Sequence, residues 1–324
     1  MRKNVFLVTG ANGQIGTVLV ENLRQLYGKN QVISTDIRAI STSNGPLEIV
    51  DVLDREQLVA VVEKYKVTHV FHLAAILSAK GEQNPQLAWK INMDGLFNVL
   101  EVAKEYKLKV FYPSSIAVFG SESPQNKTPQ ELSAHPETVY GISKLAGEYW
   151  CNYYHMRYGV DVRSLRYPGL ISYQSMPGGG TTDYAVDIFH HAVKGEAFNC
   201  FLSANTALPM MYMPDAVRAT MEIMAAPASK IRWRTSYNLA GISITPRRLT
   251  LAIKKHFPDF QVDYEPDFRQ AIADKWSNSI DDKAAQKDWG WKMEFGLDEM
   301  VADMIKNLNI KYNKKDQLIN TIQF

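Results

Sequence analysis

Only two cysteines, Cys151 and Cys200, occur in the 324-residue chain, and they have no metal-ligand spacing. A disulfide-stapled secreted fold and a cysteine-based metal site are therefore excluded, and a reducing compartment suits both thiols. No apolar run approaches the ~20 residues a membrane-spanning helix needs. Charge is nearly balanced, with 36 basic residues against 34 acidic for a net +2, so nucleic acid is not an expected partner. Repeats and low-complexity blocks are missing too. The N-terminus passes from "MRKN" directly into the apolar "VFLV", without a signal or Arg-rich transit pattern. These absences predict a cytoplasmic protein of bacterial type, or a mature form whose targeting segment has been removed. What remains is an ordinary globular composition, 46% hydrophobic and 22% charged, in a chain long enough for more than one substructure.

The first half alternates short β-branched runs with helical patterns. "NVFLVTG", "QVISTD", "HVFHLAA", "KVFYPSS" and "VDVRSLRYP" read as strands. Gln14 to Tyr27, with Ile15, Val18, Leu19 and Leu23 on one side, reads as a helix, as do "REQLVAVVEKYK" and residues 86–106 and 138–158. Near-continuous apolar strands separated by helices predict an α/β fold of the Rossmann type, a doubly wound parallel sheet covered on both faces. After Leu170 the rhythm breaks into glycine-rich loops, "YAVDIFHHAVKG", "ALPMMYMPDAVRATMEIM" and a Trp-bearing C-terminal third. The expected division is a core over 1–170 with returns near 210–240, a smaller interleaved substrate lobe over 171–310, and a polar tail over 311–324.

"VTGANGQIG" puts Gly10, Gly13 and Gly16 directly after the first strand and at the start of the first helix. That context allows a tight turn, close backbone approach to a pyrophosphate and tight helix–sheet packing, so a dinucleotide site is expected. Asp36, at the end of the second strand, is placed to accept a ribose 2′-hydroxyl and would repel a 2′-phosphate. NAD is thereby favoured over NADP, although Arg38 lies close by. Asp51 reads either as a loop cap or as a neighbour of the adenine.

"TVYGISKLAGEYW" carries Tyr140 and Lys144 on one face of a predicted helix. Beside a dinucleotide this pair has a specific use. Lowering a phenol pKa from ~10 to about 7 takes roughly 4 kcal/mol of differential stabilisation. An ammonium one turn away supplies part of that and can also hold the nicotinamide ribose. Ser114 and Ser115 in "FYPSSIAVFG" fall at the carboxyl edge of the sheet, where ligands bind in such folds. Ser115 can hold a substrate oxygen while Tyr140 takes its proton.

The glycine turn, "HLAA", "NMDG", "SSIAVFG" and Y-x-x-x-K together resemble the extended short-chain dehydrogenase/reductase family, to about residue 310. The resemblance implies a Rossmann domain on NAD, a catalytic set of Ser115, Tyr140 and Lys144, and homodimers built through a four-helix bundle. It implies cofactor contacts at Asn12, Gln14, Ile15, Arg38, Val52, Leu73, Ala74, Ala75 and Pro168 besides those named above, and makes Asn92 a structural asparagine near the cofactor.

Most extended members act on nucleotide-sugars, whose diphosphates usually meet arginines. Between Ile171 and Met210 there is no arginine and only one lysine, Lys194, and "RYPGL" has Pro168 and Gly169 where those enzymes tend to carry an asparagine. "AAILSAKGE", "RYPGLIS", "PGGGTTDYAVDIF" and "DDKAAQKDWGWK" instead resemble the branch that oxidises the β-hydroxyl of L-threonine. The implied product is 2-amino-3-ketobutyrate, which can decarboxylate to aminoacetone. The resemblance places Ser78, Ser114, Ser115, Tyr140, Gly180, Thr181, Thr182 and Trp276 around the substrate, with the glycine–threonine loop as a lid gripping its carboxylate. Simpler readings stand beside these. Ser78 and Gly81 relax a loop, Trp276 packs on the surface, Thr182 or Asp183 caps a helix, Asp215 caps another, and His190 and His191 lie on a helix surface. A nucleotide-sugar epimerase or dehydratase and a non-catalytic NAD sensor remain as alternatives. The sensor is disfavoured because Ser115, Tyr140 and Lys144 are all present.

Overall fold

The computed structural model describes residues 3–39, 44–176, 178 and 180–322, with side chains as far as residue 313. Among these residues the strands are β1 (Phe6–Thr9), β2 (Val32–Asp36), β3 (Leu47–Ile49), β4 (His69–His72), β5 (Lys109–Ser115), β6 (Val162–Tyr167), β7 (Gly169–Ile171), β8 (Phe198–Cys200), β9 (Leu208–Tyr212), β10 (Tyr237–Asn238), β11 (Ile242–Ile244) and β12 (Val262–Tyr264). The helices are α1 (Gln14–Tyr27), α2 (Arg55–Tyr65), α3 (Ser78–Gln83), α4 (Pro85–Tyr106), α5 (Val139–Tyr158), α6 (Tyr184–Lys194), α7 (Met213–Ala225), α8 (Pro246–Lys254), α9 (Phe268–Ala273), α10 (Lys283–Trp289) and α11 (Leu297–Ile322).

Seven strands pair in the order β10-β6-β5-β4-β1-β2-β3, all parallel. Helices cover both faces, which is why β1 and β6 are buried along their whole length. Chain direction reverses across the sheet between β1 and β4, and ligands bind at such a switch point, outside the carboxyl ends of the strands. Two small sheets, β11-β9-β7 and β12-β8, belong to the second half. β10 joins the edge of the main sheet beside β6, whereas β9 pairs in the small sheet. Met211, Met213, Ala216, Val217 and Ile223 share one apolar cluster with Val18, Leu19 and Leu23 of α1. The last carbonyls of α7 are taken by Arg163 and Lys109, cations at the negative end of the helix dipole.

The structure differs from the sequence expectations at several places. Ser78 and Gly81 lie in the short helix α3 rather than in a loop. His190 is 1% exposed, because α11 covers that face of α6 and the Tyr312 hydroxyl lies 2.8 Å from His190 Nδ1. Burial then pushes the imidazole pKa down to about 4. Asp215 does not simply cap α7. Its buried carboxylate accepts Arg218 and the backbone N–H groups of Glu294 and Phe295, tying the C-terminal segment to the core. The helix α11 also runs on through residue 310, where the tail was expected to begin. Among the described residues, no helix is long and apolar enough to cross a membrane.

Candidate active site

The β1–α1 turn closes tightly for a stated reason. Gly10 has φ +65°, and a Cβ there would sit 2.7 Å from the Ala74 backbone nitrogen. A Cβ at Gly16 would sit 2.5 Å from the Gly10 oxygen. The two glycines let strand, helix and the 73–75 segment meet, with Leu73 N–H donating to Thr9 O at 3.1 Å. Gly13 is the N-cap of α1 and makes no side-chain cap, and the first turn has no acidic residue. Its open N–H groups and the helix dipole therefore face any anion placed there. Beside them Gln14 Nε2 is buried without a hydrogen-bond partner among the described residues. An unanswered buried donor at a helix N-terminus fits a polar, anionic ligand.

Asp36 is fixed at the mouth of this cradle. It accepts the Asn12 N–H at 3.0 Å and the Arg38 N–H at 3.4 Å, while Asn12 Nδ2 donates to Arg38 O at 3.1 Å. Asp51 accepts the Leu53 N–H at 2.9 Å in a local turn, and Val52 beside it is buried and held through its carbonyl by Asn98. Ile15 and Pro168 flank the same edge, on α1 and between β6 and β7. Asn92 clamps the Ile76 peptide from both sides, accepting its N–H at 2.8 Å and donating to its carbonyl at 3.2 Å. It also donates to Ser143, whose hydroxyl donates to the Tyr140 carbonyl. Asn92 thus links the 73–77 segment to α5.

Helix α5 starts against the turn after β5. Thr138 caps it by accepting the Gly141 N–H at 3.0 Å. A Cβ at Gly141 would fall 2.1 Å from the Ala117 oxygen, so only glycine allows this approach. The approach carries Tyr140 to Ser115, which ends β5. Burial pushes the Tyr140 phenol up to about 12, and a hydrogen bond with the Ser115 side chain pulls it the other way. One turn on, Lys144 donates to the Pro113 carbonyl at 2.8 Å, with its Nζ 5.5 Å from the Tyr140 ring centre. Burial lowers its ammonium to about 8. The three residues form a hydroxyl, a phenol and an ammonium in one corner of the sheet edge.

Ser114, one residue earlier on β5, is engaged further along α5. Its hydroxyl donates to Glu148 at 2.5 Å, and Glu148 is gripped by Arg166 through Nε at 2.8 Å and Nη2 at 2.7 Å. Arg166 also donates to Gln130 O and Asn238 Oδ1, both at 3.1 Å. Sequence reasoning missed this buried network. Two arginines inside the otherwise apolar strand "VRSLRY" were the available signal, since a buried charge needs a partner.

On the substrate side, Ser78 and Thr181 are both buried, with hydroxyls 3.2 Å apart. Asp183 stands at the N-cap of α6 but makes no side-chain bond into it. Its carboxylate accepts the Gly180 N–H at 2.8 Å. Pro177 and Gly179 of the expected lid lie outside the described residues. Trp276 is 5% exposed and shares the apolar cluster against which Tyr140 packs, so it is not surface packing. Thr182 is seated by Gly169, where a Cβ would lie 2.7 Å from Thr182 Cγ2 and 2.5 Å from Met210 Sδ. Gly169→Ala therefore displaces Thr182. Steady-state kinetics should show KM for the small substrate rising about tenfold while the NAD KM holds, the cost of about 1–3 kcal/mol of overpacking at that seat.

A doubly wound sheet with a dinucleotide cradle at its switch point, and a serine, tyrosine and lysine at the adjoining strand end, defines an NAD-linked enzyme of the short-chain type. The chain belongs to the NAD dependent epimerase/dehydratase family, whose profile matches residues 6–240. Within it, the chain is 49% identical over 303 residues to the mitochondrial L-threonine 3-dehydrogenase of Bos taurus, covering 92% of this chain and 81% of that one. It is 56% identical to the holo-form L-threonine dehydrogenase of Cupriavidus necator, with a TM-score of 0.93 over 94% of this chain and 99% of that one. A monomeric L-threonine 3-dehydrogenase of metagenomic origin, in its apo form, is 47% identical with a TM-score of 0.92, covering 94% and 99%.

Proposed function

We propose that this protein oxidises L-threonine at its β-hydroxyl with NAD, giving 2-amino-3-ketobutyrate, which can decarboxylate to aminoacetone. The observation that carries the reading is the pairing of Ser115, Tyr140 and Lys144 with a small wall of hydroxyls, Ser78, Thr181 and Thr182, in a segment short of cations. The similarity to proteins named L-threonine dehydrogenases supports the same substrate.

Ser115 holds the substrate hydroxyl and Tyr140, as tyrosinate, removes its proton. Lys144 lowers the phenol pKa and holds the nicotinamide ribose. NAD, when bound, supplies the acceptor for the hydride that leaves Cβ with its electron pair. The Cβ–H and O–H bonds break, the C=O bond forms, and the proton stays on Tyr140. The residues that hold the cofactor are Gly10, Asn12, Gly13, Gln14, Ile15 and Gly16 at the diphosphate, Asp36 and Arg38 at the ribose, and Asp51 and Val52 at the adenine. Leu73, Ala74, Ala75, Asn92 and Pro168 line the remaining edge. The hydroxyls of Ser78, Thr181 and Thr182 and the N–H groups of the threonines take the carboxylate without a formal cation, while Gly180, whose own N–H is held by Asp183, shapes the loop beside it. Trp276 closes the far wall, and Ser114 acts through the Glu148–Arg166 pair behind the strand. Residues 1–170 with the returns near 210–240 form the cofactor half, and 171–310 the substrate half.

The working unit in this reading is a homodimer. Helices α4 and α5 leave Trp89, Ile142, Tyr149, Trp150, Tyr153 and Met156 exposed, an apolar stripe unusual on a monomer. Trp150 stacks edge-on to Phe97 at 4.8 Å and to Tyr153 at 5.5 Å. Light scattering should give twice the 36.7 kDa chain mass, and a chain-sized particle counts against the dimer. Two free, buried thiols support a reducing, cytoplasmic setting.

The function is tested by following NADH absorbance at alkaline pH with L-threonine, L-serine, allo-threonine, UDP-glucose and UDP-galactose. NADH from L-threonine supports the reading. Silence with L-threonine and conversion of a UDP-sugar, read by chromatography of the sugar nucleotides because an epimerase or dehydratase returns the hydride and accumulates no NADH, replaces it with the nucleotide-sugar alternative.

A further inference from the structure

Lys144 is a buried ammonium, 4% exposed, with no carboxylate partner among the described residues. The nearest acid on its helix, Glu148, is already held by Arg166 and Ser114. What lies against the ammonium instead is the ring of Tyr112 on β5, its centre 4.8 Å from Nζ. Tyr112 is 2% exposed, and its hydroxyl has no hydrogen-bond partner among the described residues. An unanswered buried hydroxyl costs stability, so that oxygen does not explain the residue. The ring does. Position 147, one turn beyond Lys144, makes room for it, since a Cβ at Gly147 would fall 2.3 Å from the Tyr112 hydroxyl oxygen and 2.6 Å from Cζ.

We propose that Tyr112 is a positioning residue for the oxidation, its ring face seating the Lys144 ammonium beside Tyr140 and helping to keep it charged where no carboxylate touches it. Cation–π attraction is strongest in such a desolvated corner. Among the described residues, the other groups facing Lys144 give it no contact partner of opposite charge. From β4, His72 is held neutral, its pKa pushed down to about 3 by burial and by Lys144 itself. From α5, the Glu148 carboxylate favours the charged lysine from a distance, but its hydrogen bonds go to Arg166 and Ser114, and burial pushes the Cys151 thiol up. From β5, Ser115 and the Pro113 carbonyl are uncharged. Tyr140 on α5 is protonated and uncharged in the free site near neutral pH. Burial pulls Lys144 down, and the ring face acts against that direction. With the face removed, Lys144 becomes neutral at lower pH and Tyr140 keeps its proton to higher pH.

The inference rests on Tyr140 and Lys144 as the catalytic pair, and its first readout needs no substrate. The Lys144 Nζ is titrated by NMR in free protein labelled with 15N-lysine, as wild type, Tyr112→Phe and Tyr112→Leu. Tyr112→Phe should keep the wild-type midpoint, and Tyr112→Leu should lower it by about one unit. With L-threonine and NAD, Tyr112→Leu should lower kcat/KM near neutral pH on the order of tenfold and move its acidic limb to higher pH, while Tyr112→Phe keeps both. Should Tyr112→Leu fail to fold, trifluorinated phenylalanine at position 112 keeps the shape and weakens the face, and it should shift the midpoint in the same direction. An unmoved midpoint in the leucine or fluorinated protein overturns the proposal, as does a rate loss uniform across pH. A wild type that makes no NADH from L-threonine counts against the parent reading alone, because the titration still decides the role of the ring.

Discussion

Tyr140→Phe is expected to bind NAD within about twofold of wild type and to lower kcat for L-threonine oxidation by about 10³-fold, the scale of a lost general base. The variant removes one oxygen and leaves the ring that packs on the core cluster, so folding should be unaffected. The dependence on pH has a definite sign. Burial pushes the phenol up to about 12 against the pull of Ser115, so at neutral pH the free site holds the protonated form. Oxidation needs the tyrosinate, and its rate therefore rises with pH. Reduction of the keto acid needs the phenol and falls with pH. Lys144 favours tyrosinate only while charged, and burial sets its midpoint near about 8. The two groups titrate as a pair, so kcat/KM for oxidation should climb through neutral pH and bend as the lysine loses its proton. A rate–pH profile for Tyr140→Phe that keeps the wild-type amplitude would remove Tyr140 from the chemistry.

Arg166→Met has the largest expected effect on stability. It strips the partner from Glu148, which is 1% exposed, and leaves a buried carboxylate facing Ser114. Breaking one half of such a pair costs about 3–5 kcal/mol, a large share of the roughly 5–15 kcal/mol that holds a domain folded. Urea unfolding should show the midpoint falling sharply with the slope preserved. The double variant Glu148→Gln with Arg166→Met should recover much of the loss, because no uncompensated charge remains. A single variant as stable as wild type would mean that water reaches Glu148. The same network anchors the end of β5, so the surviving folded fraction should also lose threonine turnover before it loses NAD binding.

Most of residues 1–170 was legible because most of its elements carried a local signal. The apolar strands β1, β4, β5 and β6 and the periodic helices α1, α4 and α5 stand close to their sequence-read bounds. Gly10 and Gly16 were readable because backbone geometry demands glycine there, Gly13 because it completes their spacing at the start of α1, and Tyr140 and Lys144 because helical spacing puts them on one face. Beyond Leu170 the strands are two to five residues long and pair with distant partners, as β9 does with both β7 and β11, and no local pattern encodes that. Helix α3 was hidden by a glycine and a serine, both poor helix formers. His190 read as helix surface, and only the packing of α11 turns it inward; Arg166 sat in a strand read as apolar, and its partner Glu148 comes from α5. Tyr112 looked like one more apolar position in a strand, since its meaning depends on a lysine that the fold brings over its ring.

The central claim is that hydride leaves Cβ of L-threonine for NAD while Tyr140 takes the hydroxyl proton. It is tested most directly by a single turnover of L-threonine deuterated at Cβ, with the NADH analysed by mass spectrometry. The account predicts that the NADH gains one deuterium at nicotinamide C4, and that the label is not exchanged with solvent. NADH without deuterium, or no NADH at all from L-threonine, would contradict it.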